Sequence, residues 1–195
     1  MTGAPVSFDE RLQASRRIDW RFLLPDPTLG AVAVAGRPDP ALLFALELFA
    51  DQVVDLAEGG APRDAFDLVV LVQPSERDFV ACLDAVRPGG HVYLEVAVGR
   101  GLAQRLLPPP ATRYARRIDA HGFRDVQRHW HWPDFGRRSA LLDLDAPAAL
   151  GYFLRRKWSG WRGRALAPLG AALANAGLVD RIASHSSVLG RRCER

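Results

Sequence analysis

Apolar and polar positions along the chain fall into short runs whose period switches repeatedly between strand-like and helix-like. Gly30-Ala-Val-Ala-Val-Ala-Gly36 is a small, β-branched run bounded by glycines, the texture of a strand buried on both faces. Pro38, Asp39 and Pro40 then introduce residues 41–50, whose leucines and phenylalanines recur at helical spacing. Asp39 stands as N-cap and Pro40 at the first helical position. The unit then repeats. Residues 52–56 read as a second strand, and Phe66-Asp-Leu-Val-Val-Leu-Val72 as a third, strongly buried one. Residues 76–86 place Phe79, Val80, Leu83 and Val86 on one helical face. Arg87-Pro-Gly-Gly90 is expected to stop that helix, and residues 91–96 to form a fourth strand. Strands alternating with helices through short loops predict an α/β fold, Rossmann-like, with a mostly parallel sheet and helices on its faces.

The flanks differ in texture. Ile18, Trp20, Phe22, Leu23 and Leu24 form an apolar patch that Pro25 and Pro27 keep from extending as a helix, so residues 1–29 read as a capping segment. After Pro108-Pro109-Pro110, residues 111–121 predict an arginine-rich helix ended by Gly122. Phe123 to Trp132 and Ser139 to Leu144 then predict an antiparallel hairpin on the end of the parallel sheet. Residues 148–156 and 163–176 read as extra C-terminal helices, and Ser187 to Leu189 as a short last strand. The organisation expected is a cap over 1–29, a core over 30–146 and a basic, helical extension over 147–195.

Composition narrows the class. With 195 residues, 48% apolar and 25% charged, the chain suits one ordinary soluble domain. Lys157 is the only lysine, and an arginine excess of this kind is weak support for nucleic-acid binding. The distribution of charge says more: 15 acidic and 8 basic side chains precede Val98, net −7, and 7 acidic and 18 basic follow, net +11, which together give +4. No apolar run is long enough to span a bilayer, and MTGAPVSFDERLQ lacks the pattern of a secretory signal. Two isolated cysteines, Cys82 and Cys193, fit a reducing cytoplasm better than a disulfide scaffold or zinc knuckle.

The run Phe66-Asp-Leu-Val-Val-Leu, a helix, Val86-Arg-Pro-Gly-Gly-His-Val-Tyr-Leu-Glu95, a further helix, Gly122-Phe123 and a closing hairpin resembles the second half of a class I S-adenosylmethionine-dependent methyltransferase. The resemblance covers roughly residues 30–144 and implies S-adenosyl-L-methionine over the carboxyl ends of the first strands. It implies cofactor contacts from Gly36 in the first loop, from Asp55 at the end of the second strand, where a carboxylate offers two acceptors to a ribose diol, and from Gln73 after the third. Asp55 reads equally as a polar strand end, and Gln73 as the start of a turn. Arg37 and Pro38 stand where the family keeps glycines. Only nine residues, Ala57 to Ala65, separate the second strand from Phe66, short of the roughly 10–12 that a crossover needs. The family's edge strand and adenine loop are therefore expected to be missing.

With that fold, the turn of the hairpin lies at the rim that holds the cofactor, and His129-Trp-His-Trp-Pro-Asp134 becomes the candidate substrate region. In an extended segment His129 and His131 share one face and Trp130 and Trp132 the other. Either histidine is a candidate catalytic base, with Trp130, Trp132 and Asp134 as substrate contacts. The alternative is an aromatic strand packed on the C-terminal helices. No metal is assigned, because His-x-His with Asp134 binds one only if the three side chains converge. Residues 155–164, arginines interleaved with two tryptophans, are a candidate surface for an anionic ligand or a protein partner, or a solvated helix end. Two readings stay open: a divergent methyltransferase acting on a small-molecule or glycan-type metabolite, and a methyltransferase-like fold that serves as a binding module. Both are compatible with a homo-oligomer.

Overall fold

The computed structural model describes residues 6–56, 62–97, 110–137, 139–158, 160–176 and 178–194. Its helices are α1 (Phe8–Arg17), α2 (Pro40–Phe49), α3 (Glu76–Ala85), α4 (Pro110–Ala120), α5 (Pro147–Lys157) and α6 (Trp161–Asn175). Its strands are β1 (Leu29–Gly36), β2 (Ala50–Asp55), β3 (Phe66–Val72), β4 (Val86–Ala97), β5 (Phe123–Trp132), β6 (Ala140–Asp143) and β7 (His185–Arg192). Among the described residues the seven strands are ordered β2-β1-β3-β4-β7-β5-β6. β1 pairs in parallel with both β2 and β3, and β5 pairs antiparallel with β6. The predicted α/β, Rossmann-like architecture with its antiparallel hairpin is therefore present. Pro108 and Pro109, and residues 57–61 of the short connection, lie outside the described residues.

The chain forms two compact units, one from the residues up to Tyr93 together with those from Arg192 onward, the other from Leu94 to Arg191. In the first, Val32, Val34, Leu68, Val70 and Leu71 are fully or almost fully buried, as the unbroken apolar runs require. Each such side chain contributes about 1.5–3 kcal/mol of burial. Asp39 caps α2 as the sequence indicates, accepting from the Leu42 N–H at 2.9 Å, and its second oxygen receives Arg17 at 2.7 Å. Trp20 is buried and stacks on Tyr93 with ring centroids 3.8 Å apart, so the N-terminal segment covers β4.

The elements depart from expectation in three places. α1 precedes the apolar patch. Its signal is a capping box, in which the Ser7 Oγ accepts from the Glu10 N–H at 3.2 Å and the Glu10 carboxylate accepts from the Ser7 N–H at 2.8 Å. β4 begins at Val86, not His91. Gly89 has φ of 78°, and Gly90 lies so close to the Asp67 carbonyl that a Cβ would come within 2.9 Å of it, so these glycines carry the chain from α3 directly into the sheet. The hairpin does not adjoin β4, because the last strand expected at Ser187 to Leu189 is longer, His185–Arg192, and stands between β4 and β5. Val188 and Leu189 of β7 are buried, and a Cβ on Gly190 would come within 2.9 Å of Ile118. At its end, Arg192 donates to the Asp84 carbonyl at 3.0 Å and to the Val86 carbonyl, and pairs with Asp64 at 2.8 Å. That one side chain ties the end of the chain to the end of α3.

Candidate functional site

The first unit places the three residues expected at the cofactor on the carboxyl ends of three neighbouring parallel strands. Val34 is in register with Asp55 and Gly36 with Val72, so Asp55 closes β2, Gly36 closes β1 and Gln73 follows the last residue of β3. The chain leaves β1 for β2 on one side and returns to β3 on the other. The β1–β3 junction is thus the point where strand order reverses, and open α/β sheets bind ligands in the crevice at such a point.

Gly36 has φ of 97°, and a Cβ there would stand 2.1 Å from the Val72 carbonyl oxygen. The missing side chain makes room for β3, and the next residue continues the ladder, the Arg37 N–H donating to Val72 O at 2.8 Å. Gln73 is exposed with φ of 46°, a left-handed residue that opens the turn into α3. Asp55 is exposed and borders a shallow cavity of about 330 Å³ with Leu43, Glu47, Asp51 and Gln52. Three carboxylates give this cavity a negative lining. Among the described residues β2 is the edge strand, in keeping with the short return from β2 to β3.

The amino end of α2 lies close by in sequence. Asp39 fills it with its own carboxylate, backed by Arg17, which is only 3% exposed. Burial raises the Asp39 pKa, but the hydrogen bond and charge of Arg17 and the N–H groups of Leu42 and Ala41 outweigh it and hold the group below its ordinary value. Arg17 escaped the sequence reading because its partner is 22 residues away.

The second unit holds the residues expected at the acceptor. The alternation along β5 is as anticipated, but both faces are covered at residues 129–131, so the imidazoles lie inside the unit and not at an open rim. His131 is fully buried, its Nε2 2.7 Å from the Oγ of the equally buried Ser187 and its ring 4.7 Å from that of Phe135. His129 is buried beside Asp143, its register partner on β6, and its Nδ1 has no hydrogen-bond partner among the described residues. Desolvation lowers the His129 pKa, against the upward pull of Asp143 and Asp145.

Trp130 joins a core with Leu142, Leu144, Leu150 and Val179, and Trp132 packs against it edge-on, their centroids 5.3 Å apart. That is the packing alternative raised from the sequence. Asp134 Oδ1 accepts from the Gly136 and Arg137 N–H groups at 2.9 and 2.7 Å, closing the hairpin turn. The described residues contain no group of three or more His, Cys, Asp or Glu able to hold a metal ion. The buried Ser187 at His131 was not foreseen, since 56 residues separate the two in sequence.

Among solved structures, the chain is similar to a SAM-dependent methyltransferase from Archaeoglobus fulgidus, with a TM-score of 0.51, 13% sequence identity and 94% of each chain covered. The fold is that of a class I methyltransferase. Two further methyltransferases align at lower scores. Phosphoethanolamine N-methyltransferase 2 of Haemonchus contortus, in complex with S-adenosyl-L-methionine, has a TM-score of 0.48 and 14% identity, with 98% of this chain covered. This chain spans only 54% of that protein, about half its length. A possible histamine N-methyltransferase from Thermotoga maritima has a TM-score of 0.45 and 10% identity, with 95% of this chain and 92% of that one covered. No protein-family model matches the sequence, and no curated protein does.

Proposed function

We propose that the chain is a divergent S-adenosylmethionine-dependent methyltransferase whose cofactor lies at the carboxyl ends of β1, β2 and β3. The observation that carries this reading is the gathering of Asp55, Gly36 and Gln73 on adjacent strand ends at the reversal of strand order. The residues present fit the group. An exposed carboxylate at Asp55 accepts from both hydroxyls of a ribose diol. When bound, S-adenosylmethionine supplies an electrophilic methyl group for a nucleophile aligned with it. Gly36 lets β1 end directly against β3 with no side chain between them, and the Gln73 side chain offers an amide NH2 with two donors and a carbonyl acceptor. For the acceptor we propose a small-molecule or glycan-type metabolite.

A second reading, a binding module without catalysis, is favoured by one observation. The amino end of α2, ready to attract an anion, is occupied by Asp39 and Arg17. Isothermal titration with S-adenosylmethionine and S-adenosylhomocysteine separates the two. The methyltransferase reading predicts micromolar binding. It also predicts that Asp55→Ala weakens binding about 10- to 150-fold, the equivalent of about 1.5–3 kcal/mol for hydrogen bonds to a charged acceptor. No heat at millimolar ligand would leave only the binding module.

A further inference from the structure

The helical hairpin of α5 and α6 carries a charge and hydrophobicity pattern that folding alone does not explain. Between Asp145 and Asp180 the sequence has five cationic side chains, Arg155, Arg156, Lys157, Arg162 and Arg164, and no carboxylate. The first three stand in the last turn of α5, where they complement the helix dipole. Arg164 does not: it belongs to the first turn of α6, at the end where a cation is unfavourable.

α6 is also apolar on both faces. Ala167 is buried, while Trp161, Ala165, Pro168, Leu169 and Ala172, at helical spacing, are exposed, Trp161 by 71% and Leu169 by 54%. Tyr152 on α5 is exposed by 59%. Arg155 and Arg164, one from each helix, border a groove of about 290 Å³ between α5 and α6. An exposed apolar stripe on a helix that already buries another face marks a surface that meets something.

We propose that the α5–α6 hairpin docks on an anionic lipid bilayer. The cations lie at the phosphate level, Trp161 and Tyr152 at the headgroup boundary, and Leu169 in the acyl edge. Among the described residues no helix is long and apolar enough to cross a membrane, so the hairpin lies on the surface. The chemistry favours lipid over two other occupants. Nucleic acid would call for hydrogen-bonding side chains beside the cations, whereas beside Trp161 the exposed stripe of α6 offers alanine, proline and leucine. A second copy in a two-fold contact would bring like-charged patches together.

Co-sedimentation of the full chain with phosphatidylcholine vesicles, with and without phosphatidylglycerol, tests this. Binding is expected to the anionic vesicles alone and to fall with added salt. Arg155→Ala with Arg164→Ala should weaken it about 30-fold, at about fivefold per cation, while the paired Arg→Lys variant keeps it. Leu169→Glu should weaken binding about tenfold or more with the circular dichroism spectrum unchanged. Absence of binding to anionic vesicles, equal binding to neutral ones, or a double alanine variant that binds like the parent would overturn the proposal. Displacement from vesicles by a single-stranded oligonucleotide would assign the surface to nucleic acid instead. A dimer that ignores vesicles and that Leu169→Glu converts to monomer would assign it to a second copy.

Discussion

Replacing Gly36 by alanine tests why a glycine closes β1. The added Cβ would stand 2.1 Å from the Val72 carbonyl oxygen, against a closest ordinary approach of 3.0 Å, and the obstacle is backbone that no rotamer change can move. The strand ends must separate by about an ångström, which breaks the 2.8 Å bond from the Arg37 N–H to the same oxygen. A non-glycine residue at φ of 97° costs about 1–3 kcal/mol in strain, the overpacking about 1–3, and the lost bond about 0.5–1.5. A net loss of about 3–6 kcal/mol is expected, a large share of the 5–15 kcal/mol typical of a domain. Urea unfolding of the ligand-free protein measures it, and the melting temperature should drop by about 10–20 °C. A loss below about 1 kcal/mol would refute the packing argument. If Gly36 served only to let a ligand approach, stability would be unchanged and cofactor affinity alone would suffer.

Other consequences follow from the buried polar groups. Arg17→Met should cost about 1–3 kcal/mol by urea unfolding, less than a fully buried pair because the Asp39 carboxylate is half exposed. Since the Asp39 pKa is held low in the folded state, the stability it contributes is complete above the ordinary carboxylate range and lost as pH falls through the folded value. Arg17→Met should therefore flatten the acid limb of the stability curve. His129 works in a higher window. Its pKa is lowered by burial, so the unfolded chain binds the proton more readily and stability declines as pH falls below the ordinary imidazole range. His129→Leu should reduce that decline between neutral pH and the carboxylate range, and an unchanged slope would refute it. The Cys82 thiol is pushed up to about 11 by burial and by Asp78, so iodoacetamide at mildly alkaline pH should label Cys193 and spare Cys82. Equal labelling in the folded protein would contradict the structure.

What could be read from the sequence was what local pattern encodes. The parallel βα half followed from unbroken apolar runs such as Phe66–Val72 and from the Asp39-Pro40 helix start, because both signals lie within one element. α1 carried its signal in Ser7 and Glu10, but without an apolar stripe it did not stand out. β7 was underread because Ser186 and Ser187 make a central strand look like its polar edge. Their burial depends on neighbours elsewhere in the chain, such as His131. The positions of Asp55 and Gly36 followed from strand ends alone. The surroundings of His129 and His131 did not, since their neighbours, such as Ser187 and Phe135 at His131, are set by the tertiary fold and not by the strand's own alternation. In the same way, the partner of Arg17 is fixed only when α1 and α2 come together.

The central claim, a cofactor held where β1, β2 and β3 end, is tested most directly by a crystal structure of the full chain grown with millimolar S-adenosylhomocysteine. The account predicts the ligand's ribose hydroxyls on the Asp55 carboxylate and its chain over Gly36, at the reversal of strand order. A structure in which those strand ends bind nothing, or in which the ligand occupies another part of the molecule, would contradict it.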